Sequence, residues 1–175
     1  MRKVVLGAGI SLDGYLARRD GAVDFLGEMD AETSRLMAEF FRNVDTAIMG
    51  RKTLDAALAM TGDKYDTYGL VTYVLSRSQP PGERNGVIFT SQSPEELVAE
   101  LRGRPGKDIF LMGGGETARA FLAVGLVDEL RLGVVPELLG DGLPLFPAGF
   151  PQTGFELVES RSYGKGSVSL WYRRR

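Results

Sequence analysis

The stretch Ile109-Phe110-Leu111-Met112-Gly113-Gly114-Gly115-Glu116-Thr117-Ala118 constrains the fold more than any other part of the chain. Its four apolar residues read as a buried strand. The three glycines read as a tight turn, and Ala118, Phe121 and Leu122 as the inward face of a helix. Glycines let a backbone turn sharply and approach a ligand closely. A helix start offers free N–H groups and a positive dipole end, which suit a phosphate. The stretch is therefore a candidate pyrophosphate cradle. The plainer alternative is a glycine-rich strand–helix connection.

Around it the chain alternates short apolar runs with helical patterns. Val4 to Ile10 reads as a buried central strand. Gly7-Ala8-Gly9 suggests a surface against which something flat lies, or close packing of a neighbouring element. Asp20-Gly21 marks a turn, and Val23, Phe25 and Leu26 return to apolar surroundings. A helix is expected from Asp30, with Leu36, Met37, Phe40, Phe41 and Val44 on one face. Thr46 to Met49 follows as a short strand, then a helix from Gly50 with Leu54, Ala57 and Leu58 inward. Gly62 to Gly69 is a polar loop, Val71 to Leu75 a strand, Pro80-Pro81-Gly82 a turn and Val87 to Thr90 a strand. Ser93-Pro94-Glu95-Glu96 is a capping box with Pro in the first turn. Val127 to Val135 reads as a long strand and Leu139 to Pro147 as a structured loop. Phe155 to Tyr163 and Val168 to Tyr172 flank a hairpin turn at Gly164-Lys165-Gly166. The expected class is α/β, one domain over residues 1–175, with a central mostly parallel sheet flanked by helices and a C-terminal antiparallel hairpin.

Absent residue types narrow the chemistry. The chain has no Cys and no His. That excludes disulfides, thiolate nucleophiles, zinc sites of the usual ligand types and Ser-His or Cys-His triads. Catalysis must rest on Asp, Glu, Lys, Arg, Tyr, Ser or Thr, or on a bound cofactor. The net charge of −2 gives no electrostatic case for nucleic acid or an acidic membrane. No apolar run approaches membrane-spanning length and no signal peptide is visible, so the expected location is cytoplasmic.

Three expected strand ends share one design: Gly50-Arg51-Lys52-Thr53, Ser76-Arg77, and Gly113 to Thr117. Ligands of open α/β sheets bind outside the carboxyl ends of strands. Cations at a helix start oppose the dipole, and an anionic ligand would explain them; the plainer alternative is a solvated basic first turn. Two phosphate cradles and a further arginine suit NADPH over NADH. Arg77 is the candidate for the adenosine 2′-phosphate, because a planar, permanently charged fork suits it.

In this order, together with Ser11-Leu12-Asp13-Gly14, Met49 to Thr53, Val74 to Arg77, Leu111 to Gly115 and the terminal hairpin, the chain resembles the dihydrofolate reductase fold. It is more similar to the reductase domain of the riboflavin-biosynthesis deaminase–reductase, the RibD C-terminal domain family, in free-standing form. Gly125-Leu126-Val127-Asp128-Glu129-Leu130, Pro136, Leu139-Gly140, Gly142 and Leu145-Phe146 support that branch. The resemblance implies that Ala8 and Gly9 lie beside the nicotinamide carboxamide and Leu16 near the ring. Gly50, Arg51, Lys52 and Thr53 would hold the pyrophosphate and the 2′-phosphate side. Ser76 and Arg77 would flank the 2′-phosphate, and Met112, Gly113, Gly114, Gly115, Glu116 and Thr117 would wrap the pyrophosphate. Ser11, Asp13, Phe25, Leu26, Met37 and Phe41 would line the open, substrate end. Dihydrofolate reductases carry a carboxylate on the first helix. Here Ser34 to Met37 occupy that region without one, and Glu39 is expected to face solvent, which argues against folate.

The function expected is an NADPH-dependent reductase of a small heterocyclic or sugar-derived C=O or C=N substrate, related to 5-amino-6-(5-phosphoribosylamino)uracil reductase. Proton delivery is expected from Asp13 or from ordered water; the plainer alternative for Asp13 is the turn former of an Asp-Gly pair. One alternative is an NADPH- or nucleotide-binding module without turnover. Another is a Rossmann dehydrogenase, since Gly113, Gly115 and Ala118 satisfy G-x-G-x-x-G/A with Glu137 about twenty residues on. A homodimer is expected, because the strand from Val127 to Val135 and the terminal hairpin offer edges and apolar surface.

Overall fold

The computed structural model describes residues 1–62, 65 and 68–175. The strands are β1 (Val4–Ile10), β2 (Tyr15–Ala17), β3 (Val44–Gly50), β4 (Val71–Leu75), β5 (Gly82–Arg84), β6 (Val87–Thr90), β7 (Asp108–Met112), β8 (Glu129–Val134), β9 (Leu143–Pro144), β10 (Phe155–Tyr163) and β11 (Ser167–Arg174). The helices are α1 (Ala31–Phe41), α2 (Arg51–Thr61), α3 (Pro94–Arg102) and α4 (Gly115–Ala123), with a short 3-10 turn over Asp24–Leu26. Nine strands form one sheet in the order β10-β11-β8-β1-β7-β3-β4-β6-β5. From β8 to β6 the pairing is parallel. The β10–β11 hairpin and β5 add antiparallel edges.

The class expected from the sequence holds, and its physical basis is the burial of both sheet faces. On one face Leu6, Ile109, Leu111 and Leu132 pack with Leu97, Val98 and Leu101 of α3 and Ala118, Phe121 and Leu122 of α4. On the other, Phe40 and Phe41 of α1 pack against Ala47 and Phe110. Beside them Leu54 of α2 packs with Met49, Val74 and Phe89. The ends of α1 and α3 are set by side chains. Asp30 accepts from Thr33 N at 2.7 Å, and Ser93 with Glu96 closes a full capping box. At the amino ends of the strands, the nearly buried Arg2 donates to Asp45, Thr46 Oγ1 and the carbonyls of Lys107 and Leu101.

Several boundaries differ from expectation. Val44 belongs to β3 and not to the α1 face, because the chain turns at Arg42–Asn43. Strand β8 begins at Glu129; before it, Asp128 uses its backbone N–H to reach Val4 O and its carboxylate to hold Val4 N and Arg102. Strand β8 is internal, paired to β1 and β11, so it offers no edge; the outer strand of the hairpin is β10. The Pro80-Pro81-Gly82 turn leads into β5 at once. The expected loop from Gly62 to Gly69 includes Asp63, Lys64, Asp66 and Thr67, which lie outside the described residues. Glu39 is half-exposed and ion-pairs with Arg161 of the hairpin at 3.4 Å.

Candidate functional site

The central strand β7 is shorter than its neighbours. Its pairing ends at Gly7 of β1 and at Ile48 of β3, whereas β1 runs on to Ile10 and β3 to Gly50. Ala8, Gly9 and Ile10 therefore have a strand partner on the β8 side alone. The carboxyl end of β7 is a notch, with Ala8–Ile10 on one wall, Gly50–Thr53 on the other and Gly113–Gly115 as its floor. Ser76 and Arg77 follow β4, the next strand over. From β1 to β4 the sheet advances by three strand spacings, about 14 Å. That length suits an extended dinucleotide.

Helices α2 and α4 both start at this notch. Their N-caps are Gly50 and Gly114, neither with a capping side chain, unlike the capped α1 and α3. The first turns of α2 and α4 thus keep backbone N–H donors for an anion. The two starts interlock. A Cβ on Gly50 would come 2.5 Å from Thr117 Oγ1, and one on Gly114 would come 2.8 Å from Thr53 Oγ1. Gly115 has no room either: a Cβ would collide with the carbonyl oxygen of Pro144. None of Gly113, Gly114 and Gly115 has positive φ, so these glycines answer to space and not to backbone handedness.

The small residues of β1 are similarly explained. A Cβ on Gly7 would meet Phe110 at 2.7 Å, and one on Gly9 would meet Leu26 at 3.2 Å. Leu26 thus reaches the end of β1 from the 3-10 turn that also carries the half-buried Phe25. Ala8 and Leu16 join the main core cluster at its edge. Met37 and Phe41 lie on the half-buried face of α1. Phe41 stacks on Tyr68 at 5.1 Å and meets Phe110 edge-on, below the notch.

The cations differ in their freedom. Arg51 pairs with Asp55 at 2.7 Å along its own helix and lies 5.9 Å over Phe89. Lys52 and Arg77 are exposed, with no ion pair among the described residues. Ser76 is nearly buried, and its hydroxyl accepts from Gln79 N at 3.2 Å, which fixes the turn that presents Arg77. Glu116 is exposed and pairs with Arg119, turned along α4.

A double loop borders the notch. Ser11 is fully buried; its hydroxyl accepts from Tyr15 N at 2.9 Å and donates to Asp13 at 2.6 Å. The Asp13 carboxylate also accepts from Leu139 N at 3.2 Å and Gly140 N at 2.8 Å. The Ser11 hydroxyl and these two amides hold Asp13 below the usual carboxylate range, so it is ionised near neutral pH. Leu12 N donates to Glu137 O and Leu145 N to Gly14 O, while β2 pairs with β9. Leu145 is fully buried in the main core and anchors the assembly. Sequence reasoning named both loops but missed this stitch. The available signal was that each contains an Asp-Gly pair, which says nothing of which loop meets which.

The RibD C-terminal domain model matches residues 2–169. The chain belongs to this family. As a RibD C-terminal domain it is 31% identical over 173 residues, 99% of this chain and 98% of its relative, to the uncharacterized protein YwjB of Bacillus subtilis strain 168. It is 29% identical over 175 residues, 78% of this chain and 79% of its relative, to 2,5-diamino-6-ribosylamino-4(3H)-pyrimidinone 5′-phosphate reductase of Methanothermobacter thermautotrophicus. Among solved structures, a riboflavin biosynthesis protein from Shewanella sp. PV-4 superposes with a TM-score of 0.85 at 27% identity, with 99% of each chain covered. The deaminase/reductase of Thermotoga maritima shares the fold at a TM-score of 0.72 and 14% identity, over 99% of this chain and 57% of that one. The dihydrofolate reductase-like fold is thereby shown. It also sets aside the Rossmann reading, in which the glycine turn follows the first strand; here it follows β7. No helix among the described residues is long and apolar enough to cross a membrane.

Proposed function

We propose that this RibD C-terminal domain is an NADPH-dependent reductase of a pyrimidine-type heterocycle. The observation that carries the reading is the pair of uncapped helix starts, α2 and α4, interlocked at one notch beside an unpaired edge of β1. The backbone N–H groups of Arg51 to Thr53 and of Gly115 to Thr117 would hold the pyrophosphate, with Met112 beneath. Ser76 and Arg77, with Lys52, would hold the 2′-phosphate. Ala8 and Gly9 would take the carboxamide on their free edge, with Leu16 beside the ring. When bound, the reduced nicotinamide supplies a hydride. The protein positions the acceptor carbon against it and excludes water with Leu26 and Phe25. Ser11, Met37 and Phe41 complete the substrate side. The related pyrimidinone phosphate reductase supports a ribosylamino-pyrimidine phosphate as the substrate class.

Asp13 acts in this proposal through Ser11 and the Leu139–Gly140 amides: it fixes the double loop, and solvent supplies the proton. An ionised, fully engaged Asp13 is equally compatible with the competing reading, a nucleotide-binding module without turnover. The test is a titration with NADPH and NADH, followed by cofactor fluorescence, on wild type and Arg77→Ala. NADPH preference should collapse in the variant, with affinity falling about 10- to 100-fold. Loss of NADPH absorbance on adding 2,5-diamino-6-ribosylamino-4(3H)-pyrimidinone 5′-phosphate would support the reductase; saturable binding with no oxidation would support the module. Binding of neither nucleotide would refute both. A homodimer joined through the hairpin is part of the proposal; a monomer in light scattering at micromolar concentration would remove it.

A further inference from the structure

The face of the sheet that carries α1 continues past Gly9 onto β8, where Gly133 stands directly beside it in register. The Cβ direction of Gly133 is filled from far away. A Cβ there would come 2.7 Å from the hydroxyl oxygen of Tyr163. Tyr163 stands on β10, and β11 lies between β10 and β8. The tyrosine ring therefore crosses a whole strand to bring its hydroxyl to the neighbour of β1. One strand spacing, about 4.8 Å, separates Gly133 from Gly9. The two glycines together let two unlike groups descend to the level of the strands: the apolar Leu26 over Gly9 and a phenolic hydroxyl over Gly133.

The setting suits a donor. Tyr163 is half-buried, and burial raises its hydroxyl above the usual tyrosine range, so it keeps its proton through neutral pH. Its cross-strand neighbour Ser167 hydrogen-bonds the Tyr163 side chain, which works against that push without cancelling it. The charge of Asp30, the N-cap of α1, adds to the upward push.

We propose that the Tyr163 hydroxyl is a specificity-determining contact, donating a hydrogen bond to a ring nitrogen or carbonyl oxygen of a planar heterocycle seated against Leu26. The inference rests on the reductase reading and deepens it: the substrate is a ring with an acceptor edge turned toward β8. Gly133 is glycine so that this hydroxyl can reach its place.

The experiment is equilibrium calorimetry on the protein without cofactor, with two probes. One is 2,5-diamino-6-ribosylamino-4(3H)-pyrimidinone 5′-phosphate, and the other its ring alone, 2,5,6-triaminopyrimidin-4-one. Tyr163→Phe removes only the oxygen, and Gly133→Ala drives a methyl into the hydroxyl's place. Each should weaken both probes about tenfold. NADPH affinity of both variants should stay within about twofold of wild type, which also shows that they are folded. Equal affinity of Tyr163→Phe and wild type for the probes overturns the proposal. Wild type that binds NADPH but neither probe overturns it too, and leaves the cofactor half of the reductase reading intact. Probe binding weakened by Tyr163→Phe in a protein that ignores NADPH supports the contact and refutes the reductase.

Discussion

Gly50→Ala tests the interlocked helix starts most directly. The backbone of Gly50, at φ −84° and ψ 161°, is open to any residue, so no backbone strain enters. A substitution at a compatible backbone even gains about 0.4–1 kcal/mol by stiffening the unfolded chain. The whole penalty is steric. The new methyl would lie 2.5 Å from Thr117 Oγ1, where ordinary contact is about 3.5 Å. Overpacking of this kind costs about 1–3 kcal/mol. The net loss should be about 1–2 kcal/mol, which lowers the melting temperature of a chain of this size by about 2–8 °C. Thr117→Ala alone should be nearly neutral, because it removes a β-branched residue from a helix. In the double variant the methyl occupies the space that the hydroxyl vacated, and stability should return to within about 0.5 kcal/mol of wild type. The assay is urea and thermal unfolding by circular dichroism on the four proteins of the cycle. Strictly additive effects, within about 0.5 kcal/mol, would refute the interlock.

Gly115→Ala meets a backbone carbonyl, Pro144 O, and no side-chain change relieves that; it should destabilise by about 3 kcal/mol in the same assay. Glu129 is almost fully buried, held by Lys3 at 2.7 Å and Trp171 Nε1 at 2.8 Å. Burial pushes its carboxyl up, but Lys3, Trp171 and Arg131 outweigh that and hold it below the usual range. Its contribution is therefore present above the ordinary glutamate pKa and fades as pH falls through the lower folded value; Glu129→Gln should lose about 2 kcal/mol at pH 7, and the gap should narrow in acid unfolding curves. Ser93→Ala removes the capping box of α3 and should cost about 1 kcal/mol while leaving NADPH affinity unchanged. Asp13→Asn should speed limited proteolysis near Leu139–Gly140; because the folded Asp13 carboxyl lies below its ordinary range, wild type should approach the variant only in acid.

What could be read from the residues was whatever a short window decides. Val4–Ile10, Val71–Leu75 and Val87–Thr90 are strands with the expected limits, since apolar runs between turn signals fix them. The capping box at Ser93 is local by nature, and so is the hairpin turn at Gly164–Gly166. The glycine stretch was recognised as a strand–turn–helix, but the reason for its glycines was not legible. They make room for Thr53, Leu145 and Pro144, residues from other parts of the chain. The two-residue β9 and three-residue β2 and β5 are too short to show periodicity and exist through their partners. That β8 is internal followed from the hairpin folding back onto it, which no run of eight residues encodes. The approach of Tyr163 to Gly133 crosses one intervening strand, β11, and left no trace in sequence spacing.

The position of β1 also has a consequence for how the chain is made. Lys3, at its start, bonds to Asp108 across a separation of 105 residues, and both neighbours of β1 come still later or at the same distance. At about 5–20 residues per second, the first strand leaves the ribosome roughly 5–20 s before anything exists for it to pair with. During that time Val4 to Leu6 is an unpaired apolar strand in water, the kind of segment that seeks other chains. Arg2 and Lys3, which later lock the amino end of the sheet, stand in front of it from the start. The same two charges that close the folded sheet thus guard its first strand while it waits.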